Sequence, residues 1–259
     1  MFITGVIGYP LKLTYSPILH NTAFKKLNIK GIYYPMCVLQ DDFGKIINLL
    51  KKLNFVGVNI TNPYKMEVLK YLDELDPLSS FIGAVNTITI KENKLIGRNT
   101  DIYGFSQSLK ENKIEIKNKN ILLIGAGGVS RACAYVLKRQ KPKKIFIANK
   151  TLSKAQKIRR ICDAEIISLN QISDVIKDIN VAINATSADL QNMIVSELPM
   201  GSFYYDTNYR FKSVRRKGIF LISGLGMLIH QAAYSFSLWT KEKPPVGMMK
   251  ETLKGVLND

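Results

Sequence analysis

The segment that most constrains this chain runs from Asn120 to Tyr135: Asn-Ile-Leu-Leu-Ile-Gly-Ala-Gly-Gly-Val-Ser-Arg-Ala-Cys-Ala-Tyr. Ile121 to Ile124 is an unbroken apolar run, the pattern of a strand covered on both faces. Gly125, Gly127 and Gly128 follow at once, and a helical pattern opens near Val129 with Ala132, Val136 and Leu137 on its apolar side. That order brings bare backbone N–H groups and the positive end of a helix dipole to one spot. An anion such as a pyrophosphate fits there, because glycine lets the backbone come close. Ser130 stands where a third fingerprint glycine would be, so methyltransferase loops and structural βα turns also match this spacing.

At 259 residues the chain has material for one large α/β domain or two smaller ones. Apolar content of 46% and charged content of 22% are those of a soluble globular protein. No apolar run is long enough to span a bilayer, and Met1 to Gly8 reads as a first strand and not as a signal peptide. Cys37, Cys133 and Cys162 are odd in number and far apart, which favours reduced thiols in the cytoplasm. The formal net charge of +17 is compatible with nucleic acid, an anionic membrane or an anionic small molecule. The basic residues are spread along the chain, mostly as lysine, without an arginine-rich arm or interleaved aromatics. A lysine-rich solvated surface is therefore expected, with no nucleic-acid or membrane partner.

In chain order, Phe2 to Gly8 reads as a strand that turns at Tyr9-Pro10, and Ser16-Pro17 as a helix start with the serine hydroxyl capping. Thr14 and Ser16, two apart, can also face one ligand. Gly31 to Val38, a helix from Asp41 to Leu53, and Phe55 to Ile60 follow, the units of a small, largely parallel sheet. Ligands of such sheets bind at the carboxyl ends of strands, where Asn59, Thr61 and Lys65 fall. With Asn62 as cap and Pro63 first, Lys65 is expected in the first turn of a helix reaching Leu72. The dipole disfavours an ammonium there, so Lys65 is either an acid–base group or an exposed lysine that turns away. Ala84 to Ile90 and Leu95 to Gly97 read as a hairpin, with Asn86 inside its apolar segment. Asp101, after Asn99-Thr100, orients Lys65, caps the next helix, or does both.

From Asn120 onward strands and helices alternate strictly. Strands are expected at Lys144–Ala148, Glu165–Ser168, Val181–Ala185, Phe203–Asp206 and Ile219–Ile222, and helices near Ser153–Cys162 and Ile172–Lys177. This is the pattern of a doubly wound nucleotide-binding domain. An NAD site wants a carboxylate about 20 residues past the glycines, for the ribose 2′-hydroxyl. Here the segment is Asn149-Lys150-Thr151 with Lys154 a turn later, which suits the 2′-phosphate of NADP. Later, Met227, Gln231 and Tyr234 share a helix face, and Val246 to Leu257 is a last helix. His20 and His230 lack neighbouring ligands, so core or surface roles and no metal are expected.

Together these motifs resemble one family. Ser16-Pro17 with His20-Asn21, Asn59-x-Thr61-x-Pro63-x-Lys65, Gly83-Ala-Val-Asn86-Thr, Asn99-Thr-Asp101, Gly125-Ala-Gly-Gly, Asn184-Ala-Thr-Ser and Gly224-Leu-Gly-Met-Leu-x-x-Gln231 are similar, in that order, to shikimate dehydrogenase. The resemblance implies two α/β domains around a cleft: residues 1–101 and 236–259 as an N-terminal, mostly parallel substrate domain, and 102–235 as a Rossmann-type, doubly wound NADP-binding domain. It implies reversible reduction of 3-dehydroshikimate to shikimate by NADPH in chorismate and aromatic amino acid synthesis. The enzyme would be cytoplasmic, and a monomer or homodimer.

By position, Lys65 would carry the proton with Asp101 beside it. Thr14, Ser16, Asn59, Thr61, Asn86, Tyr209 and Gln231 would hold the substrate. Gly125, Ala126, Gly127, Gly128 and Val129 would take the pyrophosphate; Asn149, Lys150, Thr151 and Lys154 the adenosine phosphate; and Thr186, Gly224 and Met227 the remainder of the cofactor. Three positions depart from the pattern: Thr14 replaces a serine, Lys150 an arginine and Ile102 a glycine. A point charge at position 150 softens the preference for NADP. A quinate/shikimate dehydrogenase with NAD use is the nearest alternative. Methylenetetrahydrofolate dehydrogenase is more remote, as is a non-catalytic sensor or nucleic-acid-binding relative prompted by the +17 charge.

Overall fold

Alternating apolar strands and amphipathic helices build two separate six-stranded sheets in the computed structural model, which describes residues 1–11, 14–209 and 216–258. The chain divides into one unit of Met1–Gly104 with Leu228–Asp259 and a second of Phe105–Met227.

The first unit contains β1 (Phe2–Gly8), α1 (Ser16–Lys26), β2 (Gly31–Cys37), α2 (Gln40–Leu49), β3 (Phe55–Ile60), a 3-10 turn (Glu67–Tyr71), β4 (Glu74–Leu75), α3 (Pro77–Ile82), β5 (Thr87–Lys91) and β6 (Lys94–Arg98). Its sheet runs β2-β1-β3-β5-β6-β4. β1 is parallel to β2 and β3, whereas β5 is antiparallel to β3 and β6. The expectation of a largely parallel sheet thus holds for the β1–β3 half. The other half is mixed: β5 and β6 form the expected hairpin through Glu92 and Asn93, at φ 50° and 59°, β5 lies antiparallel to β3, and β4 is parallel to β6. Ile7, Phe43, Ile47, Leu50, Val58, Ile60, Tyr64, Val68 and Ile88 fill one core. Each such buried side chain is worth about 1.5–3 kcal/mol. A side chain at Gly57 would run into the Trp239 indole, whose Nε1 donates to the Ile88 carbonyl at 3.0 Å.

Three local expectations are corrected. Lys65 precedes the helix instead of opening it: residues 62–66 form turns, a 3-10 turn starts only at Glu67, and the Lys65 carbonyl accepts from Val85 N at 2.8 Å. Ser16 does not cap α1: it is the first helical residue after Tyr15, and its own N–H is taken by Thr14 Oγ1 at 3.3 Å. α2 ends at Leu49, short of Leu53, because the chain reverses through turns to Asn54 at φ 57°.

α4 (Asp101–Glu111) leads into the second unit, which holds β7 (Asn120–Ile124), α5 (Gly128–Arg139), β8 (Lys144–Ala148), α6 (Leu152–Gln156), β9 (Glu165–Ile167), α7 (Ile172–Val175), β10 (Val181–Asn184), α8 (Gln191–Val195), β11 (Phe203–Asp206) and β12 (Phe220–Ser223). All pairings are parallel, in the order β12-β11-β10-β7-β8-β9. This is the doubly wound arrangement, reversing between β7 and β10. α6 is shorter than expected: beyond Gln156 the bonds tighten to a three-residue spacing, as from Arg159 N to the Gln156 carbonyl and from Ile161 N to the Ile158 carbonyl.

α9 (Leu225–Thr240) and α10 (Val246–Asn258) return the chain to the first unit. The division falls after Met227, whereas the sequence suggested 235/236. Gln231 and Ser235 explain the difference, since their side chains bond to Asn86, Thr87 and Asn59.

Candidate active site and cofactor cradle

In the first unit, Lys65 and Asp101 form an ion pair of 2.6 Å from Nζ to Oδ2, with side chains only 12% and 5% exposed. Asp101 opens α4, and Lys65 lies in the turn after β3. The other carboxylate oxygen accepts from Asn86 Nδ2 at 2.9 Å. Asn86 is itself fixed: its Oδ1 accepts from Thr100 N at 2.7 Å and from the Thr87 hydroxyl at 3.0 Å. Its Nδ2 also reaches Thr100 Oγ1 at 2.9 Å and Gln231 Oε1 at 3.3 Å, so one amide with two hydrogens serves three acceptors. Gln231 Nε2 donates to the Leu228 carbonyl at 3.0 Å. A network this dense holds the ion pair in one geometry with little freedom to relax.

Asn59 is embedded more deeply. Its Nδ2 lies 3.0 Å from both Thr87 Oγ1 and Ser235 Oγ and 3.1 Å from the Asn86 carbonyl, while its Oδ1 accepts from the Tyr33 hydroxyl at 2.8 Å. Both ends of the amide are thus used inside the protein. Tyr33 is gripped by Asn21 through its own N–H and C=O, at 2.9 and 3.2 Å, and stacks on His20 at 4.2 Å between centroids. His20 is completely buried, and burial lowers its imidazole pKa to about 3, so the ring is neutral. It is a core residue, as is His230 at 8% exposure. Thr61 is half-buried beyond β3, its N–H bonded to the Ile7 carbonyl at 2.9 Å.

The structure therefore links Lys65, Asp101, Asn86, Gln231 and Asn59 through one hydrogen-bonded system, and Thr14 to Ser16 through another contact. Thr87, Thr100, Ser235 and Tyr33 belong to the first system and were not singled out from the sequence. For Ser235 a signal existed, because it lies one turn beyond Gln231 and donates to its carbonyl at 3.0 Å. For Tyr33 none did.

The second unit carries the glycine loop. Gly125 has φ +113°, and an added Cβ would meet the Ala185 carbonyl and Thr186 Cγ2 at 2.9 Å and Ser130 Oγ at 3.0 Å. Gly127 precedes the first residue of α5, and a Cβ there would meet nothing within 4 Å. One glycine makes the turn and the other leaves open room beside helix N–H groups, which fits a pyrophosphate. Past β8, Asn149 Nδ2 fastens the loop to the Thr151 carbonyl at 2.8 Å, and Lys150, Thr151 and Lys154 are exposed. Neither lysine forms an ion pair among the described residues, and no carboxylate occurs between Lys138 and Arg160. Residues 105–227 carry 21 of the 37 basic and 9 of the 20 acidic side chains. Thr186 follows β10 at the point where the strand order reverses, and Met227 is buried. Tyr209 follows β11 and is half-buried in this second unit. Among the described residues no group of three or more His, Cys, Asp or Glu could hold a metal, and no helix is long and apolar enough to cross a membrane.

A held ammonium–carboxylate pair can move a proton at a substrate oxygen, and a doubly wound sheet with a bare glycine loop can hold a dinucleotide. These are the parts of a dinucleotide-dependent oxidoreductase. Three family models match in chain order: shikimate dehydrogenase substrate binding domain over residues 6–88, shikimate / quinate 5-dehydrogenase over 108–203, and shikimate 5'-dehydrogenase C-terminal domain over 224–254. The shikimate dehydrogenase (NADP(+)) of Alkaliphilus oremlandii is 38% identical, covering 97% of this chain and 96% of its own. That of Nitrosopumilus maritimus is 37% identical, covering 97% of each.

Among solved structures, shikimate dehydrogenase from Aquifex aeolicus superposes with a TM-score of 0.90 at 31% identity, covering 98% of this chain and 97% of that one. The Thermus thermophilus enzyme, solved with NADP(H) and shikimate, gives 0.86 at 28% identity over 98% and 99%. Quinate dehydrogenase from Corynebacterium glutamicum, in complex with NAD, gives 0.83 at 28% identity over 98% and 99%. The chain belongs to the shikimate dehydrogenase family.

Proposed function

We propose that this chain catalyses the reversible, NADPH-dependent reduction of 3-dehydroshikimate to shikimate, in the cytoplasm. The observation that carries this reading is the Lys65–Asp101 pair, buried and held through Asn86. NADPH, when bound, supplies the hydride. Lys65 delivers a proton to the C3 oxygen during reduction and removes it during oxidation, while Asp101 fixes its ammonium and stabilises the charge. Thr14, Ser16, Thr61, Asn86, Tyr209 and Gln231 bind the ring hydroxyls and carboxylate. Asn59 joins them in binding the substrate, and its amide also keeps Asn86 and Thr87 in place.

Gly125 to Val129 receive the pyrophosphate on backbone N–H groups, Lys150 and Lys154 neutralise the 2′-phosphate beside Asn149 and Thr151, and Thr186, Gly224 and Met227 border the remainder. The bare loop at Gly127 and the unpaired lysines past β8 support NADP as the cofactor. The decisive assay follows NADPH formation from shikimate and NADP, with quinate and NAD in parallel. Turnover with shikimate and NADP is expected. Preferential turnover of quinate, or none at all, overturns the assignment.

A further inference from the structure

We propose that Asp206 is the positioning residue of the cofactor cradle, a buried carboxylate that ties Asn184, Tyr204 and Asn208 together and so fixes Thr186 and Gly224. The inference rests on the reading of Gly125, Thr186 and Gly224 as residues bordering the cofactor. Asp206 ends β11, is 3% exposed, and has no cationic partner among the described residues. Its Oδ1 accepts from Asn208 N and Nδ2, each at 2.8 Å, and its Oδ2 from Asn184 Nδ2 at 3.1 Å and the Tyr204 hydroxyl at 3.2 Å.

The partners pass this order outward. Asn184 Oδ1 accepts from Thr186 N at 3.0 Å and from its hydroxyl at 2.7 Å, and Asn208 Nδ2 donates to the Thr186 carbonyl at 2.7 Å. Thr186 is thus gripped at its amide, its hydroxyl and its carbonyl. Gly224 N donates to the Asn208 carbonyl at 3.0 Å, and a side chain at Gly224 would collide with the Thr207 backbone. Thr186 and the Ala185 carbonyl in turn crowd the Cβ position of Gly125. One carboxylate therefore orders the carboxyl ends of β10 and β11 against the glycine turn after β7.

The four contacts call for acceptor oxygens at both ends of the Asp206 carboxyl. Three of the partners are N–H groups that can only donate, so an amide, with an NH2 in place of one oxygen, would set a donor against a donor. Burial, with no counter-ion among the described residues, opposes the charge of the carboxylate and pushes the Asp206 carboxyl above its ordinary range, against the pull of its hydrogen bonds. A group that served only stability would be better neutral; this one holds geometry.

The test compares wild type with Asp206→Asn, measuring NADPH affinity by fluorescence titration, shikimate affinity by calorimetry, and the melting temperature. The NADPH Kd should rise about tenfold, with the shikimate Kd within about twofold of wild type and the melting temperature unchanged or higher. Unchanged NADPH affinity overturns the proposal, as does a parallel loss of both ligands, which a merely structural role would give. Should Asp206→Asn fail to fold, Tyr204→Phe decides. It removes one donor and no charge, and should raise the NADPH Kd about threefold; no change overturns the proposal. A wild-type protein that does not bind NADPH sinks the cofactor-site reading itself, whereas a binding wild type with an equal variant sinks only the role of Asp206.

Discussion

The two sites are built on opposite principles. In the first unit, side chains do the work: Lys65, Asp101, Asn86, Thr100, Gln231 and Asn59 are held by one another, and hardly any of their polar surface reaches solvent. In the second unit, absent side chains do the work, at Gly125 and Gly127, with exposed lysines a strand away. Proton transfer needs one ammonium at one place, which only a rigid, desolvated frame supplies. A pyrophosphate needs N–H groups and room, which backbone alone supplies. Substitutions should therefore act on chemistry in the first unit and on cofactor affinity in the second.

The largest effect is expected from Lys65→Ala: a fall in kcat of roughly 100- to 10,000-fold, with the NADPH Kd unchanged. A matching loss of NADPH affinity would break the comparison. Next is the acid response of the first unit. His20 titrates near 3 in the fold against 6.5 when unfolded. As pH falls below 6.5 the unfolded chain takes up a proton that the fold refuses, so stability present at neutral pH is lost towards pH 3. The total is on the order of a few kcal/mol. His20→Phe, which keeps an aromatic face for Tyr33, should flatten that slope in chemical denaturation measured across this range. Asp206 in the second unit works in the other sense: its raised pKa lets the fold take the proton first, so its contribution grows as pH falls.

Smaller effects probe the cradle. Gly125→Val forces a branched side chain into φ +113° against the Ala185 carbonyl, and should weaken NADPH binding about 10- to 100-fold, roughly 1–3 kcal/mol of strain. Its shikimate Kd should be retained; equal loss of both ligands would show that the units do not divide the labour. Smallest is Lys150→Glu with Lys154→Glu, expected to raise the Kd for NADPH about tenfold while leaving NADH nearly unaffected, with a flatter salt dependence. Titration of both cofactors at two ionic strengths checks this.

The same contrast explains what could be read from the sequence. The glycine loop was legible because its parts are contiguous: apolar run, glycines, helix, in the order the chain emerges. The lysines past β8 were legible for the same reason, since they follow at a fixed interval. The Lys65 motif was visible, but the helix after it begins only at Glu67, as a 3-10 turn, and the Lys65 carbonyl is taken by Val85, twenty positions later. Ser16 offered the chemistry of a cap and does not cap. In both cases a local rule was overridden by the neighbouring strand or loop.

Sequence alone thus determined the succession of strands and helices, the doubly wound half, the candidate lysine and carboxylate, and the absence of an acidic residue where NAD would want one. Tertiary structure decided the rest. It set β5 antiparallel to β3, as in the pairing of Asn59 with Thr87. It drew Gln231 and Ser235 of α9 onto Asn86 and Thr87, some 145 positions distant. It enclosed Asp206 among four donors. The reason is physical: periodicity and glycine placement record local backbone preference, whereas the partner of a buried polar group is chosen only when distant segments exclude water together.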